Sequence, residues 1–181
     1  MRVLVTGGAG YIGSHTCVEL LNSGHEVCVI DNLCNGHEAA LKRVQNITNC
    51  ELQFMNVDIR DTNALDNIFN SFKPKAVIHF AGLKAVGEST ADPIKYYDVN
   101  VGGSISLLTA MSNAGCNNIV FSSSATVYGK PKYLPYDEEH PTNPVNPYGR
   151  TKLMIENIIH DWTKVDLKRK GTVLRYFNLI V

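Results

Sequence analysis

At 181 residues the chain is long enough for one domain with a substantial core and too short for two of ordinary size. Lys and Arg total 17, as do Asp and Glu, so neither nucleic acid nor an anionic membrane surface is indicated as a partner. The five cysteines (Cys17, Cys28, Cys34, Cys50 and Cys116) lack close paired spacing, which fits reduced thiols in a cytoplasm better than a disulfide frame or a metal site. No apolar run approaches membrane-spanning length, and no signal-peptide core follows Met1, so a soluble protein is expected.

The first apolar run, Val3-Leu4-Val5, feeds into Thr6-Gly7-Gly8-Ala9-Gly10-Tyr11-Ile12-Gly13, and a helical pattern follows. Strand, tight turn and helix are predicted. Gly7 suits the sharp turn, Gly10 lets a phosphate approach bare backbone, and Gly13 lets helix and strand pack closely. The helix N-terminus then offers unpaired N–H groups to an anion. An ordinary glycine-containing turn has the same local pattern, but the next run, Glu26 to Ile30, ends in Asp31 about twenty residues further on, where a carboxylate can accept hydrogen bonds from ribose hydroxyls. The same charge would repel a 2′-phosphate, which points to NAD rather than NADP. The plainer alternative for Asp31, a strand-end residue capping a turn with Asn32, is the weaker of the two.

A helix is predicted around 38–46, a third strand over 52–55, and a helix following Asp61, which reads as its N-cap. Asp58 and Ile59 fall beside the adenine if the sheet winds in the usual way. Ala76 to Phe80 is apolar enough for a central parallel strand, closed by Ala81-Gly82. His79 is expected in the core or on a neighbouring carbonyl. A single helix is predicted from Pro93 to Ala114, weakened by Gly102-Gly103, with Asn100 needing a partner if it faces the sheet. The alternation of strand and helix predicts an α/β, doubly wound parallel sheet with helices on both faces and its ligand at the carboxyl ends of the strands.

Strand five, 118–121, opens into Ser122-Ser123-Ser124-Ala125-Thr126-Val127-Tyr128-Gly129. By composition this is a flexible loop; by position its hydroxyls face the crevice that the glycines open. After a proline-rich segment comes Tyr148-Gly149-Arg150-Thr151-Lys152. A tyrosine and a lysine four residues apart share a helical face, where the ammonium favours the phenolate and suits the tyrosine to general acid or base work. His15, His25, His37, His140 and His160 are read as surface or helix-edge residues without chemistry.

Taken together and in order, the glycine motif, Asp31, the Ser124 segment and Tyr148-x-x-x-Lys152 resemble the extended short-chain dehydrogenase/reductase superfamily. Thr6 to His15, His79 to Ser89, Phe121 to Gly129 and Arg175-Tyr176-Phe177-Asn178 are similar to the signatures of its UDP-glucose 4-epimerase family. The resemblance covers essentially the whole chain. It implies an NAD-dependent isomerase of carbohydrate metabolism acting on a UDP-hexose. Tyr11 and Ile12 would flank the pyrophosphate; Asp31, Asn32, Asn35 and Gly36 the adenosine ribose; Asp58 and Ile59 the adenine. Phe80, Ala81, Gly82, Lys84 and Asn100 would line the middle of the cofactor, Lys152 the nicotinamide ribose, with Ser122, Tyr176 and Phe177 completing the cofactor set. Tyr148 would take the proton from the sugar 4-hydroxyl, Ser124 would hydrogen-bond the same oxygen, and Lys84, Thr126 and Asn178 would contact substrate.

In that family the chain continues past Asn178 into a smaller substrate domain. The expectation is therefore a single cofactor domain over 1–181, lacking most of the second domain and turning over poorly by itself. Related dehydratases carry an acidic pair where this chain has Ser124-Ala125-Thr126, which disfavours dehydration; the alternatives are another NAD-dependent sugar-nucleotide dehydratase or decarboxylase, and a non-catalytic NAD-binding module. Apolar residues at helical spacing, Ile94, Tyr97, Val101, Ile105 and Leu108 on one segment and Met154, Ile155, Ile158 and Ile159 on another, pack on the sheet or form a homodimer of the kind the family uses.

Overall fold

The computed structural model describes residues 1–177. Six parallel strands, β1 (Arg2–Thr6), β2 (Glu26–Asp31), β3 (Gln53–Asn56), β4 (Ala76–His79), β5 (Asn118–Ser124) and β6 (Lys170–Tyr176), form one sheet in the order β3-β2-β1-β4-β5-β6. The chain walks outward from β1 to β3, returns to the centre at β4 and walks outward the other way. The winding reverses between β1 and β4, which opens a crevice above their carboxyl ends.

Helices α1 (Tyr11–Asn22) and α2 (Glu38–Thr48) cover one face. Cys17, Leu21, Leu41 and Val44 meet Val3, Val5, Val27 and Val29 of the sheet there. Helices α3 (Thr62–Phe72), α6 (Gly103–Asn113) and α7 (Pro147–Lys164) cover the other, where Phe69, Leu107, Met111 and Ile159 pack on Leu4, Ile30 and Phe121. Alternate residues of β1 thus enter opposite cores, which is why the strand reads as continuously apolar. Asp61 caps α3 by accepting the Ala64 amide at 3.0 Å, as its position in the sequence implies. Asn146 caps α7 through Gly149 at 2.8 Å, with Pro147 in the first turn.

Three expectations change. The segment predicted as one helix over 93–114 is α5 (Pro93–Tyr96), a π-turn (Tyr97–Gly102) and α6, preceded by the short α4 (Val86–Ala91). The widened turn lets Asn100 face the sheet with every amide atom hydrogen-bonded, and Gly103 lets α6 lie against Ile59, where a Cβ would come within 2.4 Å. Strand five, predicted over 118–121, continues through the serine run. Ser122, Ser123 and Ser124 are the last residues of β5, in register with Leu174, Arg175 and Tyr176. His140, read as a surface residue, is buried: its Nε2 accepts the Lys132 amide at 3.0 Å, and its ring packs among Tyr128, Tyr133 and Tyr136. His79 does lie in the core, but its partners are two hydroxyls rather than a carbonyl.

Candidate functional site

A cavity of about 890 Å³ runs over the carboxyl ends of the strands, from the β2–α2 loop across Gly7–Gly13 to Tyr148 and Phe177. At its centre Gly7 makes the turn that leaves β1 with φ +70°; a Cβ there would lie 2.6 Å from the Ala81 nitrogen. Gly13 returns the first turn of α1 against that loop, where a Cβ would meet the Gly7 carbonyl at 2.4 Å. The N-terminus of α1 carries no side-chain cap, so its first N–H groups stay open to the crevice.

Asp31, at the end of β2, is 9% exposed. Its Oδ2 accepts the Ala9 amide at 3.0 Å and its Oδ1 the Leu33 amide at 2.8 Å. Each oxygen keeps lone-pair capacity for a further donor, and the carboxylate ties the glycine loop to the β2–α2 loop. Beyond it, Asp58 accepts from Asn32 and is gripped by Arg60 at 2.7–2.9 Å, while Arg60 also reaches Asp98 at 2.5 Å. The Arg60 hydrogen bonds hold the Asp58 carboxyl well below the usual carboxylate range.

At the other end, α7 places Tyr148 and Lys152 on one face, both nearly buried. Tyr148 packs against Leu83 and Tyr96. Lys152 donates to the Ser122 carbonyl at 2.8 Å, and its ammonium stands 4.8 Å from the centre of the Phe121 ring and 5.8 Å from that of Tyr148. Burial lowers the lysine pKa to about 8, partly opposed by Glu156 one turn further on. The expected easing of tyrosine ionisation by the lysine is not seen: burial raises the Tyr148 pKa, and only the Ser124 hydroxyl works against the rise. Burial thus favours the protonated phenol in this crevice.

A buried network fastens this end. Ser123 and Arg175 both donate to Glu156, and the Arg175 guanidinium sits 4.9 Å from the Tyr128 ring centre. Strand β6, β5 and α7 are thereby locked in one arrangement, so that Ser124, Tyr148 and Lys152 hold their mutual positions. Among the described residues no group of three or more His, Cys, Asp or Glu is arranged to hold a metal ion, and no helix is long and apolar enough to cross a membrane.

Residues 3–180 match the NAD dependent epimerase/dehydratase family. The chain belongs to that family. The UDP-glucose 4-epimerase of Bacillus subtilis (strain 168) is 55% identical over 178 residues, 98% of this chain and 52% of the relative. The mouse UDP-glucose 4-epimerase is 53% identical over 186 residues, 99% of this chain and 54% of its own. The crystal structure of the Bifidobacterium longum UDP-glucose 4-epimerase in complex with NAD+ and UDP superposes with a TM-score of 0.96 at 48% identity, covering 98% of this chain and 53% of that one. The chain spans about half the length of the curated relatives it matches.

For this epimerase/dehydratase family member, most residues singled out in the sequence reach one wall or floor of the crevice. Gly7, Gly10, Tyr11, Ile12, Gly13, Asp31, Asn32, Asn35 and Gly36 line its first half; Asp58, Ile59, Phe80, Ala81, Gly82 and Lys84 its middle; Ser122, Ser124, Tyr148, Lys152, Tyr176 and Phe177 its far end. Two do not line it. Asn100 lies behind Leu83, and Thr126 donates to the Ser124 hydroxyl at 3.0 Å, so each touches the crevice through a neighbour. Asn178 lies outside the described residues. Ser123 and Glu156 were not singled out. Glu156 had a readable signal, four residues beyond Lys152 on the same helical face, but its partner Arg175 is brought to it only by the β6 register.

Proposed function

We propose that this chain is the NAD-binding half of a UDP-hexose 4-epimerase. One observation carries the reading: a phenol, an ammonium and a serine hydroxyl stand at one end of the crevice whose other end is an uncapped helix N-terminus with Asp31 beside it. The residues fit a dinucleotide. Gly10 leaves an open cradle where a side chain would stand, α1 presents free N–H groups to a pyrophosphate, and Asp31 retains acceptor capacity for ribose hydroxyls.

When bound, NAD supplies a hydride acceptor that later returns the hydride, with a positive charge on the nicotinamide. The positive charge of bound nicotinamide would favour the Tyr148 phenolate, which would take the proton from the sugar 4-hydroxyl and later give it back, while Ser124 would hydrogen-bond the same oxygen. Lys152, protonated at neutral pH and fixed by the Ser122 carbonyl, holds a ribose hydroxyl. Net isomerisation follows because the oxidation is reversed within the site. Ser124, Ala125 and Thr126 carry no acid, and Glu156 is committed to Ser123 and Arg175, which supports isomerisation over expulsion of water.

Calorimetric titration of the chain with each nucleotide should give at least roughly tenfold tighter binding of NAD than of NADP, since the Asp31 carboxylate opposes a 2′-phosphate. With UDP-galactose the chain alone should give little UDP-glucose, because sugar positioning can supply about 7–11 kcal/mol of a barrier and depends on the half of the relatives that lies outside the matched region. Joined to that half of a relative, it should epimerise. A joined protein that binds NAD and leaves UDP-galactose unchanged overturns the reading.

The same reading includes a homodimer and a cytoplasmic setting. Leu108, Ile155 and Ile159 are taken up by the core, while Ile94 (75% exposed), Ile105 (49%) and Met154 (44%) remain outside on the two helical segments. All five cysteines are free, in keeping with a reducing compartment. Light scattering that gave a monomer mass at micromolar concentration would sink the dimer.

A further inference from the structure

Below the crevice a row of buried polar groups runs from the end of β1 through the end of β4 to α6, and its hydrogen-bond directions follow atom by atom. Ser104 Oγ lies 2.6 Å from the Asn100 carbonyl oxygen, a contact that needs the single serine proton. That serine oxygen therefore accepts from His79 Nε2, 2.9 Å away, and the imidazole carries its proton on Nε2. Nδ1 is then an acceptor, and its donor is Thr6 Oγ1 at 2.6 Å. Thr6 in turn accepts the Ala81 amide at 3.2 Å. The row runs one way, from the Ala81 N–H through Thr6, His79 and Ser104 to the Asn100 carbonyl.

One end of the row lines the crevice, and the other reaches it through Leu83. Ala81 is the lining end. Asn100 grips Leu83 by both backbone groups, accepting its N–H at 2.7 Å and donating to its carbonyl at 3.0 Å, and also donates to Thr151 Oγ1 at 3.2 Å. Thr151 donates to the Tyr148 carbonyl at 2.7 Å. Gly82, at φ +152°, lies so close that a Cβ would stand 3.1 Å from Asn100 Oδ1. A phenylalanine could fill the histidine's volume, but it could not connect two backbone groups that must be held at a fixed separation.

We propose that His79 is a positioning residue of the cofactor crevice: locked as the Nε2–H tautomer, it couples the Ala81 amide to the π-turn and so sets where the 81–83 loop and the first turn of α7 stand. The proposal rests on the reading that this crevice takes a dinucleotide. Burial agrees with it, since the ring is held neutral well below its ordinary titration range.

The test uses this chain with NAD as probe, and the variants Ser104→Ala and Thr6→Val, each removing one hydroxyl of the row. Nitrogen-15 NMR of the histidine ring should show the neutral Nε2–H form from pH 5 to pH 8, values chosen to span the ordinary histidine range. Each variant should bind NAD about tenfold more weakly, the size of one lost hydrogen bond, with faster amide exchange at Leu83. The double variant should lose little more than either single one, because one break already interrupts the row. An Nδ1–H tautomer, or a folded variant with unchanged Leu83 exchange and unchanged NAD affinity, overturns the proposal. If the wild-type chain bound no NAD, the dinucleotide reading would fall, while the tautomer and exchange measurements would still decide the role of His79.

Discussion

Replacing Gly10 by valine should raise the dissociation constant for NAD by roughly a hundredfold or more, about 2.7 kcal/mol, while leaving the chain folded. The three glycines of the opening loop are glycines for different reasons. Gly7 has a positive φ and Ala81 within 2.6 Å of a would-be Cβ, and Gly13 has the Gly7 carbonyl at 2.4 Å, so any side chain at either collides with fixed backbone. Gly10 has φ −80° and ψ 176°, open to any residue, and the nearest atom to a Cβ is the Gly7 carbonyl at 3.3 Å. Inside the chain a side chain there asks only for a shift of a few tenths of an ångström from the Gly7 carbonyl. What a side chain at 10 would occupy is the space in front of the uncapped N–H groups of α1, where a pyrophosphate is expected to lie. The contrast makes the experiment specific. Gly13→Ala should unfold the loop and lose binding together with melting temperature, whereas Gly10→Val should lose binding with a melting shift of only a few degrees. Unchanged NAD affinity in a folded Gly10→Val chain would remove the phosphate from the glycine loop and the cofactor from the crevice.

What could be read from the residues was whatever depends on a local period. The apolar runs ending at Thr6, Asp31 and His79, the alternation with helices, and the four-residue interval between Tyr148 and Lys152 each carry their meaning within one or two turns of chain, and the fold follows from them. Features created by contacts between distant segments were out of reach. The π-turn exists because Asn100 must meet both Leu83, 17 residues away, and Thr151, 51 residues away, and a periodic apolar pattern says nothing of either. His140 looked like a surface residue because a polar, proline-rich segment surrounds it; the tyrosines that bury it are gathered as the segment folds back, Tyr136 donating to the Gly129 carbonyl and the Asn143 amide to that of Tyr128. Tyr148 is the most instructive difference. Its spacing from Lys152 was legible, but its protonation is set by burial, which the spacing does not report.

The histidine of the buried row should make the fold acid-sensitive in a defined window. In the unfolded chain an imidazole titrates near 6.5; in the fold His79, enclosed by Thr6, Ser104 and the Phe121 ring and facing the charge of Lys152, stays neutral down to about pH 3, with burial the main cause and Lys152 the lesser. Below pH 6.5 the unfolded state therefore binds a proton that the folded state refuses. Stability rises with pH across that interval: the contribution is complete above 6.5 and is lost progressively as pH falls towards 3. At about 1.4 kcal/mol per pH unit, roughly 3 kcal/mol should be gone by pH 4.5, a fall of about 6–12 °C in melting temperature for a chain of this size. Asp58 acts in the same direction, since Arg60 holds its pKa down, but its loss begins only below its ordinary value of 3.8 and leaves the window between 6.5 and 4.5 to other groups. Urea titrations at pH 7.5, 6.0 and 4.5 would measure the slope for the chain and for His79→Gln, pH values chosen to bracket the histidine range. The variant should be less stable at pH 7.5 yet lose distinctly less on acidification. Parallel curves for the two proteins would mean that the imidazole is not the group that resists the proton, and the directional row through Thr6 and Ser104 would lose its central member.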